Sequence, residues 1–193
     1  MRRYFAGIWM GVLLILSACG SNDQAGTGGG EKEADESEER PMEYQVTLGN
    51  ALSDTLEGLA NFGRVQDPQT GDELFVIRLS TGFDFAGGIV ISRRDTTLPT
   101  PGDYDLALAA DSAAAVPDDK FFIIYREGML WDLRSESGTL TFSIVSDSLI
   151  EGRFDATLQG EIADRGRELT EGEVHAVGRF RAGPGMTGYV IGL

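Results

Sequence analysis

The 193-residue chain carries 31 Asp and Glu against 16 Lys and Arg, a formal net charge of −15, with one cysteine and one histidine. A surface this acidic repels phosphate backbones and anionic lipid headgroups, which excludes nucleic acid as a partner class. One histidine and one cysteine are too few ligands for a zinc site, and no pair of cysteines exists to staple the fold.

Taken in chain order, residues 1–18 read as a secretory signal. Arg2 and Arg3 form a positive start, an apolar run extends from Ala6 to Leu16, and the small residues Ser17 and Ala18 follow. A run of about eleven residues is well short of the roughly twenty that cross a bilayer, so it predicts a cleaved signal and not a permanent span. The order Leu16-Ser17-Ala18-Cys19 resembles a bacterial lipobox. That resemblance implies a diacylglycerol on the thiol of Cys19, cleavage just before it, and further acylation of the new amine by a chain such as palmitate. At about 0.8 kcal/mol per buried methylene, two or three such chains hold a protein firmly to a membrane. The plain alternative is an incidental thiol at the end of an ordinary signal. In Gram-negative lipoproteins an Asp after the cysteine retains the protein at the inner membrane; Gly20 stands here, which implies sorting to the outer membrane. Arg2-Arg3-Tyr4-Phe5 also resembles the core of a twin-arginine signal, from which Ala6 and Gly7 depart, so both export routes stay open.

Residues 19–41 hold the lipidated cysteine and then "GSNDQAGTGGGEKEADESEERP", with seven acids, two bases and no aromatic or branched aliphatic side chain. Such a segment cannot bury enough apolar surface to offset the entropy of ordering, which predicts a disordered acidic tether. As a flexible coil it spans about 26 Å. Residues 42–193 make one domain of ordinary size, in which 24 acids face 12 bases. Lysine is nearly absent, at Lys32 and Lys120 only, and a surface so acid-rich and lysine-poor suits a salty medium that screens self-repulsion.

Within the domain, apolar and polar residues alternate at Tyr44-Val46-Leu48, Leu56-Gly58-Ala60-Phe62, Phe75-Ile77-Leu79, Tyr104-Leu106-Leu108 and Met129-Trp131-Leu133. The same period returns at Leu140-Phe142-Ile144, at Ile150-Gly152-Phe154-Ala156-Leu158 and at Val174-Ala176-Gly178-Phe180. Turn residues separate these runs, as at Asp67 to Asp72, Pro99 to Gly102 and Ser146 to Ser148. "KFFIIY" at 120–125 is apolar on both faces, which places it mid-sheet or beneath a second layer. Inward glycines at 58, 152 and 178 mark places where a sheet bends or another layer comes close. Only "AADSAAAV", 109–116, has the composition of a helical turn, and it reads equally as a loop. The expectation is an all-β fold, an antiparallel β-sandwich or barrel of about ten strands, mostly a meander.

The stretch "SGTLTFSIVSDSLIEGRFDATL", followed by "VHAVGRFRA", resembles the C-terminal half of a loosely defined group of bacterial lipoproteins with a lipobox, a low-complexity spacer and one β-rich domain. The resemblance implies a fold and an address; it supplies no activity for any residue. The triplet Gly-Arg-Phe occurs twice in it, at 152–154 and 178–180, and is read as similar sheet positions needing similar residues, with a duplicated binding motif as the alternative; if the two strands are neighbours, their outward arginines are expected to meet Glu151 and Asp155.

The inventory of chemistry is sparse. His175 shares parity with Val177, Arg179 and Arg181, which points it to solvent, and no Gly-x-Ser-x-Gly elbow occurs to complete a triad. No phosphate loop or dinucleotide fingerprint is present, so no cofactor is expected. Asp67, Asp72 and Glu73 in "DPQTGDE" are calcium candidates, although Pro and Gly with Asp are also ordinary hairpin chemistry. The leading expectation is a non-enzymatic, lipid-anchored envelope domain that binds a protein or glycan partner or serves a structural role. The alternatives are a lipocalin-like carrier of a small apolar ligand lined by Tyr104, Phe121, Trp131 or Phe142, and a carboxylate-based hydrolase of envelope glycans.

Overall fold

The computed structural model describes residues 42–67, 70–81, 87–109, 116–127, 131–163 and 169–189. The segments expected to be a signal, a lipidation site at Cys19 and a tether, and residues 110–115 of the alanine-rich stretch, lie outside them. Nine strands are formed and, among the described residues, no helix: β1 (Glu43–Asn50), β2 (Asp54–Gln66), β3 (Glu73–Ser80), β4 (Gly87–Arg93), β5 (Gly102–Asp105), β6 (Phe122–Glu127), β7 (Trp131–Val145), β8 (Ile150–Ala163) and β9 (Leu169–Tyr189).

The all-β expectation holds, and the sheet closes on itself. Each of β1, β2, β3, β4, β6, β7, β8 and β9 pairs antiparallel with the next, and β9 returns to pair with β1, from Phe180 opposite Tyr44 to Val174 opposite Asn50. The result is an up-and-down barrel of eight strands. Beyond the start of β1, β9 runs on and pairs in parallel with β2, from Asn61 to Gln66, so the ring stays sealed where β1 ends. The short β5 takes the place of β6 alongside the second half of β7.

Alternation explains why these residues form this barrel. On β1, β2, β8 and β9 the even-numbered apolar residues, including Val46, Ala60, Phe154 and Ala176, point inward and are buried. Most of their odd-numbered neighbours are polar and face water; Leu59 and Val177 are apolar and exposed, and Val65 is buried in an outer cluster. A large aliphatic or aromatic side chain buried this way stabilises the fold by about 1.5–3 kcal/mol. Apolar inside and charged outside is the reverse of a barrel that crosses a membrane with its strands. "KFFIIY" faces two layers as expected: Phe121, Ile123 and Tyr125 join the interior, while Phe122 and Ile124 join an outer cluster with Val65, Leu74, Val76, Ala107, Ala109 and Val116.

Four expectations need correction. The runs at Met129–Leu133 and Leu140–Ile144 belong to one strand, β7, in which bulges after Ser135 and Phe142 insert an extra residue and reset the alternation. For that reason Ile144 is 43% exposed instead of inward, and Val145 packs on the core in its place. The run Tyr104–Leu108 is a strand only as far as Asp105; Leu106 makes an isolated bridge to Phe121 and Leu108 is 66% exposed. Finally, β4 was not among the expected strands. Its "GGIVISR" buries Ile91, Ser92 and Arg93 in succession and so lacks the period of two.

Glycines act where backbones meet. A Cβ on Gly178 would sit 2.6 Å from the Phe154 ring, and one on Gly152 would sit 2.7 Å from the Phe180 ring. Just after the first bulge of β7, Gly138 adopts φ of +141°, where any side chain would collide with the carbonyl oxygen of Asp155.

Candidate binding face

Side chains fill the interior around Tyr104, Phe121 and Phe142, three of the four residues named as the lining in the alternative reading as a carrier. Phe121 packs on Tyr104 at 5.2 Å and on Phe142 at 5.3 Å between ring centroids, and Tyr104 lies 5.6 Å from Phe142. The side chain of Trp131, the fourth residue proposed for that lining, lies outside the described residues. Arg93, only 5% exposed, covers the cluster: its guanidinium lies 4.9 Å from the centroid of the Phe121 ring and donates to the carbonyls of Asp95 and Thr97. Thr97 in turn supports Asp95, whose carboxyl is held below its usual range by hydrogen bonds from the Thr97 backbone and side chain.

Nearer the other end, Tyr125 donates to the Glu127 carboxylate at 2.7 Å. Burial first, and the Glu127 charge second, push the Tyr44 hydroxyl up to about 12; burial and the bond to Glu127 raise Tyr125 further. The Tyr44 hydroxyl is buried with no hydrogen-bond partner among the described residues.

The carboxylates do not assemble into a metal centre: among the described residues no group of three or more Asp, Glu, His or Cys converges. Asp67 is buried inside its own hairpin, where its carboxylate accepts from the Thr70 hydroxyl and its carbonyl from the Gly71 amide. Asp72 leaves the loop to pair with Arg94 at 3.0 Å, and Glu73 is exposed at the start of β3. Pro68 and Gln69 of the same hairpin lie outside the described residues.

The outer face of β1, β9, β8 and β7 holds the densest arrangement of functional groups. His175 is exposed there, and its Nε2 lies 2.7 Å from Asp155 Oδ1. Arg181 pairs with Glu151 at 2.5 Å. The two Gly-Arg-Phe triplets lie antiparallel in register, Gly152 opposite Phe180, Arg153 opposite Arg179 and Phe154 opposite Gly178. Each phenylalanine therefore fills the space its partner glycine vacates, and the two arginines emerge side by side on the outside. Arg179 donates to the Gln45 amide oxygen at 3.1 Å, while among the described residues Arg153 has no ion-pair partner.

Two open clefts flank this pair. One, of about 610 Å³, is lined by Gln45, Thr47, Thr139, Thr141, Arg153, Asp155, Val177 and Arg179. The other, of about 640 Å³, includes Glu43, Glu57, Leu59, Glu151 and Arg181 and shares Gln45 and Arg179 with the first. Leu59 and Val177, each 45% exposed, give the face its apolar surface. The doubled triplet is visible in the sequence, but its arginines do not take the acids expected for them, since Glu151 pairs with Arg181 and Asp155 with His175; the antiparallel register that sets one arginine against the other was not readable from it. No protein family, curated protein or solved structure matches this chain.

Proposed function

We propose that this chain is a lipid-anchored barrel of the bacterial cell envelope that acts as a non-enzymatic binding module through its outer face. The observation that carries this reading is the contrast between a barrel end filled ring against ring, at Tyr104, Phe121 and Phe142, and an outer face with two clefts around Arg153 and Arg179. A carrier needs an interior kept free for its ligand, whereas a module that works from outside is best served by a close-packed core. The lipobox-like Leu16-Ser17-Ala18-Cys19 and the acidic segment after it support attachment through Cys19, with the barrel held off an outer-membrane surface.

Two measurements test this. Cys19→Ala should release the protein from the membrane fraction and abolish incorporation of labelled palmitate; a variant still tightly membrane-bound refutes the anchor. Organic extraction of the natively purified full-length protein should yield no stoichiometric apolar ligand beyond its own acyl chains, and recovery of one would establish the carrier instead.

A further inference from the structure

Arg153 and Arg179 lie directly opposite each other on neighbouring antiparallel strands, a placement that is unfavourable for like charges. It occurs in a chain with twice as many acids as bases in the domain, where acids to pair with are plentiful. On the same strands Arg181 and His175 do face acids, Glu151 and Asp155. The arginine pair is thus a local conflict that an incoming anion would resolve. Both arginines line the same cleft, and a guanidinium fork matches the two oxygens of a carboxylate.

The surroundings narrow the anion. Glu43, Glu57, Glu151 and Asp155 line the two clefts, so a ligand with dense negative charge, such as a phosphate-rich surface, is repelled. The strands beneath the cleft are paired on both sides within the closed ring, so no free backbone edge exists there for an extended peptide to join. The hydroxyls of Thr47 and Thr139 and the second oxygen of Asp155 suit a ligand rich in hydroxyls, and Val177 offers an apolar floor.

We propose that the cleft over β9 and β8 binds an acidic glycan, with the carboxylate of a uronic-acid-type sugar held between Arg153 and Arg179 and the ring lying over Val177. The assignment rests on the reading of this protein as an outer-face binding module and names its ligand class. It is tested by titrating the full-length protein in detergent with a galacturonate trisaccharide and with the same trisaccharide methyl-esterified. The free acid should bind, esterification should weaken it by about tenfold or more, and Arg153→Gln and Arg179→Gln should each do the same. Arg153→Lys should fall between, because it keeps the charge and loses the fork.

Equal binding of the ester, native-like binding by either Gln variant, or equal competition by poly-glutamate or inorganic phosphate would each overturn the proposal. Release of Cys19→Ala from the membrane is read independently, so a failed titration beside a released variant removes the ligand class and leaves the anchored module standing.

Discussion

Ser135→Ala tests how the barrel is sealed where β6 and β7 part. Beyond Arg134 the two strands no longer pair, and β5 becomes the neighbour of β7 from Thr139 onward. In between, the Ser135 hydroxyl accepts from the Ile123 amide at 3.0 Å and donates to the Ala107 carbonyl at 2.8 Å, and the residue is fully buried. Alanine would leave both backbone groups without a partner away from water. At about 1–3 kcal/mol for each orphaned group the loss is about 2–6 kcal/mol, a large part of the ~5–15 kcal/mol that stabilises an ordinary domain. For a domain of this size that is a fall of about 4–24 °C in melting temperature. Ser92→Ala is the matched control. Ser92 is equally buried, but its hydroxyl has no partner among the described residues, so removing it should be neutral or slightly stabilising. Calorimetry and urea denaturation of both variants read the difference directly. Equal losses in the two would mean that shape and not the hydrogen-bonded bridge matters at Ser135, and would refute the reasoning.

Gly178→Ala should destabilise by about 1–3 kcal/mol through collision with Phe154 and Val46, and pairing it with Phe154→Leu should recover part of that, as read by chemical denaturation. Alkaline pH acts through the buried tyrosines. The folded state holds Tyr44 neutral up to about 12, so its contribution is intact below pH 10 and is lost as pH climbs toward 12. At pH 11 the loss is on the order of 1 kcal/mol from this residue, and Tyr44→Phe should match the native protein at pH 7 yet outlast it at pH 11, with tyrosinate absorbance marking the transition. With 24 acids against 12 bases in residues 42–193, melting temperature should rise as salt increases from low to about 0.5 M; a flat or falling response would show that self-repulsion is not a significant term.

The parts of the fold that a period of two can encode were readable in the sequence. The inward faces of β1, β2, β8 and β9, and the two-sided burial of "KFFIIY", follow from alternation alone. β7 read as two strands because each bulge shifts the period by one: Leu133 and Leu140 both face inward although seven positions separate them. β4 escaped because its outward Val90 packs against the outer cluster and its outward Ser92 is buried, so no exposed polar residue marks the alternation there. Closure was not readable either, because the bonds between β1 and β9 join residues more than a hundred positions apart and leave no local pattern. At the candidate face the two Gly-Arg-Phe triplets were visible as a repeat. What a repeat cannot convey is antiparallel register, and register turns two ordinary outward arginines into a facing pair. Asp67 read both as a calcium candidate and as ordinary hairpin chemistry, and its carboxylate accepts from Thr70 of its own hairpin.

The most direct test of outer-face binding is a map of amide chemical shifts in the full-length, micelle-bound protein as the uronate trisaccharide is added. The account predicts that the largest changes fall on Thr47, Arg153, Val177 and Arg179, on the outside of β1, β8 and β9. Changes centred on inward residues such as Tyr125, Leu133 and Ile91 would place the ligand inside the barrel and contradict it.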